Sequence, residues 1–243
     1  MAEHKRQMHF GVFVLGTGNH SAGWRMEGAF TSGCSLPVLQ NIAKTAERGK
    51  FDLFFISDGL IMETNDHPSF VSRFEPLTLL AALSTMTTHV GLGATVSTSF
   101  GEPYHVARAF ASLDHLSGGR ASWNVVTTTN NKAALNFSKQ RLDEHDLRYE
   151  IATEFVDVVR GLWDCWDDGA VLADTKSGVY LDSSKVHTLD HKGRFFSIKG
   201  PLNIERTPQG QPEVVPPTRA FRERRSGLSS ELSRPALSAL RWD

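Results

Sequence analysis

Polar side chains follow the apolar cores of three predicted strands, each time at the C-terminal end. They are Asp58 on the second strand, Thr95 with Ser97 on the third, and Asn124 with Thr127 on the fourth. In a parallel α/β barrel, the C-terminal ends of the strands form the face that carries the active site. A polar residue can also simply mark where a strand leaves the core, and each residue taken alone fits that interpretation equally well. Because all three strands show the pattern at the same end, we predict a binding site there.

A second candidate pair, His145 and Tyr149, stands four residues apart at the start of a predicted helix, so both side chains project from one face. Both can form hydrogen bonds, and the free N–H groups in the first turn of a helix favour an anion such as phosphate. The alternative is an ordinary surface pair at a helix end, which the spacing alone favours.

The remaining motifs do not form a familiar catalytic centre. GLGAT at 91–95 lies within a strand pattern, unlike the glycine-rich turn that binds a dinucleotide. His187 and His191 have a spacing that suits a metal, but no third ligand is evident and we predict no metal site. The sequence contains no GxSxG elbow and no supported Cys–His pair. No catalytic residue is therefore assigned, and a bound cofactor is expected to carry the chemistry.

Strand and helix patterns alternate along most of the chain. The predicted strands cover 8–15, 51–58, 90–98 and 121–128, and the predicted helices cover 36–49, 75–87, 103–119 and 146–166. Strands that are apolar on both faces and alternate with helices indicate a parallel sheet covered by helices. Residues 167–203 interrupt the pattern with turn-rich sequence, which predicts a hairpin insertion, and 212–215 resembles the start of a fifth strand.

Composition places the chain among soluble globular proteins, with 40% apolar and 22% charged residues. A net charge of −1 gives no reason to expect binding to nucleic acid or to an anionic membrane. Cys34 and Cys165 lie far apart, which suits a reducing compartment. The N-terminus lacks the apolar stretch of a secretory signal. We therefore expect a cytoplasmic protein.

Several separate segments resemble the bacterial luciferase-like flavin monooxygenases, in the right order and with the right gaps. These segments are GWR at 23–25, ERGKFDLFFISDG at 47–59, SFGEPYHVARAFASLDHLSGGRASWNVVTT at 99–128, RYEIATEFVDVVRGLWDCW at 148–166 and HKGRFFSIKGPLNIERTPQGQP at 191–212. The branch they resemble contains the nitrilotriacetate, EDTA and dibenzothiophene-sulfone monooxygenases. The resemblance runs from about Met8 to Val215.

This resemblance implies a TIM-type (β/α)₈ barrel, incomplete here at about four and a half βα units. It also implies that reduced FMN binds at the C-terminal face and that a separate NAD(P)H:flavin reductase supplies the FMNH₂. Molecular oxygen would add to the flavin, and the resulting hydroperoxide would oxygenate a small organic substrate. Full-length members are expected to form homo-oligomers. A deazaflavin-dependent oxidoreductase shares the superfamily fold, but the branch-specific motifs argue against it.

Carried over position by position, the resemblance assigns flavin contacts to Asp58, Thr95, Asn124, His145 and Tyr149. The last two correspond to a pair near the FMN phosphate and ring, which replaces the surface-pair interpretation.

The loop after the first strand contains His20, Trp24 and Arg25. The resemblance implies that this loop overhangs the substrate pocket, and Arg25 is a candidate contact for an anionic substrate.

The sequence changes character at Pro216. Residues 1–215 carry a net charge of −4, whereas residues 216–243 carry +3 with six Arg and no Lys. We predict a partial barrel domain over 1–215, with the insertion at 167–203, and a disordered non-family tail over 216–243. The tail's composition is typical of GC-rich coding sequence read out of frame; a genuine basic tail is the alternative. A second hypothesis for function follows, namely an inactive truncated remnant with no closed flavin site.

Overall fold

The computed structural model describes residues 8–64 and 67–215, which are organised around a five-stranded parallel sheet. Residues 216–243, for which a non-family tail is predicted, lie outside the described residues. The strands of this sheet are Gly11–Val14 (β1), Leu53–Ile56 (β2), Gly91–Ser97 (β3), Ala121–Val126 (β4) and Glu213–Val215 (β9). The helices are Leu36–Arg48 (α1), Pro76–Ser84 (α2), Pro103–Ser117 (α3), Asn131–Ala134 (α4) and His145–Trp163 (α5).

The strands lie side by side in chain order, β1–β2–β3–β4–β9, and every neighbouring pair is parallel. One row across the inner face runs Phe13, Phe55, Gly93, Ser122 and Glu213. Chain-order parallel strands joined by helices are the arrangement of a TIM-type barrel. The predicted fold class is thus confirmed, with β1 and β9 as the outer strands of the described sheet.

The hydrophobic core lies between the outer face of the sheet and the helices. Phe54, Leu92 and Trp123 are fully buried there. The Trp123 ring packs against Phe110 of α3 and Phe155 of α5, with ring centroids 5.6 and 6.0 Å apart. These contacts fix α3 and α5 over β4, and so fix the C-terminal end of that strand.

Helix boundaries follow the local sequence. Pro37, Pro76 and Pro103 lie in the first turns of their helices, where a missing N–H has no cost. Helix α3 ends at Gly118, whose φ of 67° is left-handed. The Glu75 side chain accepts from the backbone N–H groups of the first turn of α2, at 2.9 and 2.7 Å.

The turn-rich segment for which a hairpin insertion is predicted contains two short antiparallel hairpins. Val171–Asp174 (β5) pairs with Val179–Leu181 (β6), and His191–Lys192 (β7) pairs with Ser197–Ile198 (β8). The second hairpin docks on α5 through Glu154, which accepts from three successive backbone N–H groups at residues 194–196. Turn-rich sequence predicts the insertion, yet it does not predict how many hairpins the turns close.

The fully buried carboxylate of Asp114 connects the segment that follows the insertion to the sheet. Asp114 accepts from the backbone N–H groups of Ala121 and Gln209, both at 3.1 Å. The Gln209 amide also donates to the Ala121 carbonyl at 2.9 Å. These bonds align the approach to β9 with the start of β4. Within the described ranges, no helix is both long and apolar enough to cross a membrane.

Candidate active site at the C-terminal ends of the strands

A cavity of about 400 Å³ lies at the C-terminal ends of β2, β3 and β4. Four of the five polar residues predicted at the strand ends, Asp58, Thr95, Ser97 and Thr127, line it together. A volume of roughly 300–1,000 Å³ is typical of small-molecule and cofactor sites. The strand-end pattern therefore marks one common site.

Asp58 lies two residues after the end of β2, is half-buried, and accepts from the Gly59 N–H at 2.8 Å. Burial raises the pKa of Asp58, while the Gly59 N–H and the Arg73 guanidinium oppose that rise. Arg73 also lines the cavity and lies over Gly59. The cavity therefore presents a carboxylate acceptor and a guanidinium donor close together.

Thr95 and Asn124 form a second polar group on β3 and β4. Thr95 is buried, and its hydroxyl accepts from the Asn124 amide at 3.0 Å. Nearby, the Ser97 and Thr128 hydroxyls lie 2.8 Å apart and join the ends of the same two strands. Asn124 is not among the cavity-lining residues, so its structural contact is with Thr95.

The structure places His145 and Tyr149 against each other, with ring centroids 4.8 Å apart in the first turn and a half of α5. Neither residue is among those lining the cavity, and the His145 side chain is 70% exposed. Arg148, which directly precedes Tyr149, donates to the carbonyl oxygen of Thr128, and Thr128 does line the cavity. The N-terminus of α5 is therefore tied to the cavity rim.

The two histidines with metal-like spacing contact different carboxylates. The His187 ring lies 2.8 Å from Asp167, and the His191 ring lies 3.1 Å from Glu154. Over the parts of the chain that the structure describes, no group of three or more His, Cys, Asp or Glu side chains could hold a metal ion.

The fold is that of a TIM-type barrel, and its candidate site is a polar cavity at the C-terminal ends of the strands. Comparison with known proteins identifies the family. The family model described as luciferase-like monooxygenase matches residues 8–218. The chain belongs to this family.

Individual relatives place the chain within the predicted branch. It is 50% identical to an N-acetyl-S-(2-succino)cysteine monooxygenase of Bacillus subtilis (strain 168), over 88% of this chain and 49% of that protein. It is 41% identical to nitrilotriacetate monooxygenase component A of Aminobacter aminovorans, over 86% of this chain and 49% of that protein. The chain thus spans about half the length of these relatives.

A solved structure of riboflavin lyase, with modified FMN and riboflavin, matches with a TM-score of 0.77 and 35% identity. The match covers 87% of this chain and 50% of that one.

The cavity's chemistry fits a flavin ring. A reduced isoalloxazine ring has N–H donors as well as carbonyl acceptors, and it needs partners of both kinds. Asp58 supplies an acceptor, Arg73 supplies donors, and the Thr95 hydroxyl can serve as either. Sequence patterns missed Arg73, because it lies in a loop before α2 rather than at a strand end.

Replacing Asp58 by asparagine is expected to stabilise the flavin-free chain at pH 7, by less than about 1 kcal/mol because the side chain is only half-buried. Since the pKa of Asp58 is raised in the folded state, its stabilising contribution is complete below its ordinary pKa of 3.8 and is lost as pH rises through the folded value. The advantage of the variant should therefore vanish at acid pH. Urea unfolding at pH values from about 3.5 to 7 measures this, and a pH-independent difference would contradict it.

Proposed function

We propose that the chain is the oxygenase component of an FMNH₂-dependent two-component monooxygenase. The main support for this proposal is the cavity at the strand ends, which is lined by Asp58, Arg73 and Thr95. The chain that forms this cavity is a member of the luciferase-like family. Reduced flavin, when bound, supplies the activation of molecular oxygen. The protein's residues bind and orient the flavin and exclude water from it.

Each predicted contact has a distinct part in this proposal. Asp58 accepts a hydrogen bond from the flavin ring, and Arg73 donates to its acceptor side. The buried Thr95 hydroxyl is held in place by the Asn124 amide, which orients it toward the cavity. Because the Asn124 side chain contacts Thr95 and does not line the cavity, we propose that its role is to position the Thr95 hydroxyl.

His145 and Tyr149 are proposed to hold the phosphate end of FMN at the start of α5. A helix of 19 residues presents free N–H groups and a positive dipole end there, which suits a phosphate. The link from Arg148 to the Thr128 carbonyl connects this helix end to the cavity rim.

The proposed partner is an NAD(P)H:flavin reductase, and the proposed substrate is a small organic molecule. The word "component" in the name of the Aminobacter relative supports a two-protein system. The name of the Bacillus relative supports N-acetyl-S-(2-succino)cysteine as the first compound to test.

The experiment combines the chain with a flavin reductase, FMN, NADH, this compound and ¹⁸O₂. Mass spectrometry should detect one ¹⁸O atom in the product, and omission of the chain should abolish the label. Oxygen consumption alone does not suffice, because free FMNH₂ also reacts with oxygen. If the chain is shown to bind flavin but no ¹⁸O enters the compound, the result would count against this compound as the substrate.

A second candidate is a non-catalytic remnant of such an enzyme. It is favoured by the open inner face of the described sheet, where Phe13 on β1 and Val215 on β9 are 45% and 41% exposed. Unpaired strand edges and exposed apolar side chains promote association. The remnant hypothesis predicts no measurable binding of FMNH₂ under anaerobic equilibrium dialysis, whereas the oxygenase hypothesis requires it.

A further inference from the structure

A second cavity, of about 510 Å³, lies beside the candidate flavin cavity. The segment 68–73 forms the wall between them: Phe70 and Arg73 line the flavin cavity, whereas Pro68, Val71 and Ser72 line the second one. The opposite wall is the loop that follows β1. We call this space the Arg25 cavity.

The loop after β1 is held in a defined shape. The buried hydroxyls of Thr17 and Ser69 lie 2.7 Å apart and join the loop to the dividing segment. Gly33 packs so closely on the Ser72 carbonyl that a Cβ atom there would overlap it. The walls of the Arg25 cavity are thus fixed by the protein itself before any ligand arrives.

Arg25 and Trp24 lie in a short 3₁₀ turn, Gly23–Arg25, within this loop. The turn is closed by backbone hydrogen bonds from Arg25 N–H to the Ala22 carbonyl and from Met26 N–H to the Gly23 carbonyl, both at 3.1 Å. The side chains of Trp24 and Arg25 line the cavity and are exposed.

The lining has the composition of an anion site. Arg25 is the one formally charged side chain among the described residues that line the cavity. Four residues with hydroxyl groups line the same cavity, namely Thr17, Ser21, Thr31 and Ser72. Guanidinium groups bind carboxylates through two parallel hydrogen bonds, and hydroxyls can donate to the remaining oxygen lone pairs.

We propose that the Arg25 cavity binds a carboxylate group of the substrate, which makes the substrate an organic acid. This inference rests on the proposed oxygenase function, because it assigns the neighbouring cavity to the molecule that is oxygenated. Trp24 would cover the apolar part of such a ligand, and Arg25 would hold its charged end.

The binding test uses N-acetyl-S-(2-succino)cysteine, which has three carboxylates, and its uncharged trimethyl ester as probes. Isothermal titration calorimetry with the 243-residue chain should show binding of the acid and at least about 10-fold weaker binding of the ester. Raising the salt concentration should weaken binding of the acid.

Three variants identify the residue responsible. Arg25→Gln should weaken binding of the acid about 10-fold or more, and Arg25→Lys should restore part of the loss, because lysine keeps the charge without the planar fork. Arg108→Gln, an exposed arginine on α3 away from the cavity, removes the same charge and should change nothing. Circular dichroism should give the same spectrum for all three variants as for the original chain.

Equal binding of the acid and the ester, or unchanged binding of the acid by a folded Arg25→Gln variant, would overturn the proposal. FMN binding, measured separately, should be unaffected by Arg25→Gln. If the acid binds in an Arg25-dependent way while FMN fails to bind at all, the carboxylate site is supported and the flavin function is contradicted.

Discussion

Substitution of Arg120 by methionine is expected to lower the free energy of unfolding by about 3–5 kcal/mol. Arg120 is buried, and its guanidinium donates to the carbonyls of Ser84, Thr87, Val90 and Ser117 at 2.7–3.0 Å. Methionine fills much of the same volume but leaves these buried carbonyls without their donor. The variant would then lack the side chain that holds together the C-terminal end of α2, the start of β3 and the C-terminal end of α3.

Urea unfolding followed by circular dichroism measures this loss. The matched control is Arg108→Met, the same substitution at an exposed position on α3, which should change stability by no more than about 0.5 kcal/mol. An unchanged unfolding midpoint for Arg120→Met would show that water or neighbouring groups satisfy the carbonyls instead.

The sequence predicts the sheet well, because its signal is local. Strands that are apolar on both faces can be stable only between two covered surfaces, and the helices that alternate with them supply the cover. In α3, helical spacing favours Val106, Phe110 and Leu113 as the buried face, and all three are buried. The strand ends are equally local, so the sequence alone predicts that Asp58 and Thr95 lie at one edge of the sheet.

Other features depend on contacts between distant parts of the chain, which periodicity does not encode. In α1, helical spacing favours Val38, Ile42 and Thr45/Ala46 as the buried face. Ala46 is buried, but Val38 and Ile42 are only half-buried, and Leu39 and Ala43 complete the buried face instead. The role of Arg120 follows from acceptors up to 36 positions away, and no pattern marks it.

The candidate site shows the same division. Arg73 lies in a loop without regular spacing, and only the folded chain brings it to Asp58. The assignment of His145 and Tyr149 came from family resemblance rather than from spacing, and it stays a prediction, because these residues do not line the cavity with Asp58 and Thr95.

Replacing His145 by alanine is expected to weaken binding of reduced FMN by about 10- to 100-fold, while binding of reduced riboflavin stays unchanged. A hydrogen bond to a charged group contributes about 1.5–3 kcal/mol to binding. Riboflavin has no phosphate and cannot make this bond, so its affinity does not depend on it. Asp58→Asn should instead weaken both flavins alike, since Asp58 is proposed to contact the ring that they share. Anaerobic fluorescence titration with each flavin measures the four affinities.

The control is His105→Ala, at an exposed histidine on α3, which should leave both affinities unchanged. The comparison separates the two ends of the ligand, because each variant removes a contact that only one part of FMN makes. Equal weakening of FMN and riboflavin by His145→Ala would place the start of α5 at the ring rather than at the phosphate. No weakening of either flavin would remove His145 from the site, and the cavity would then have to hold flavin through Asp58, Arg73 and Thr95 alone.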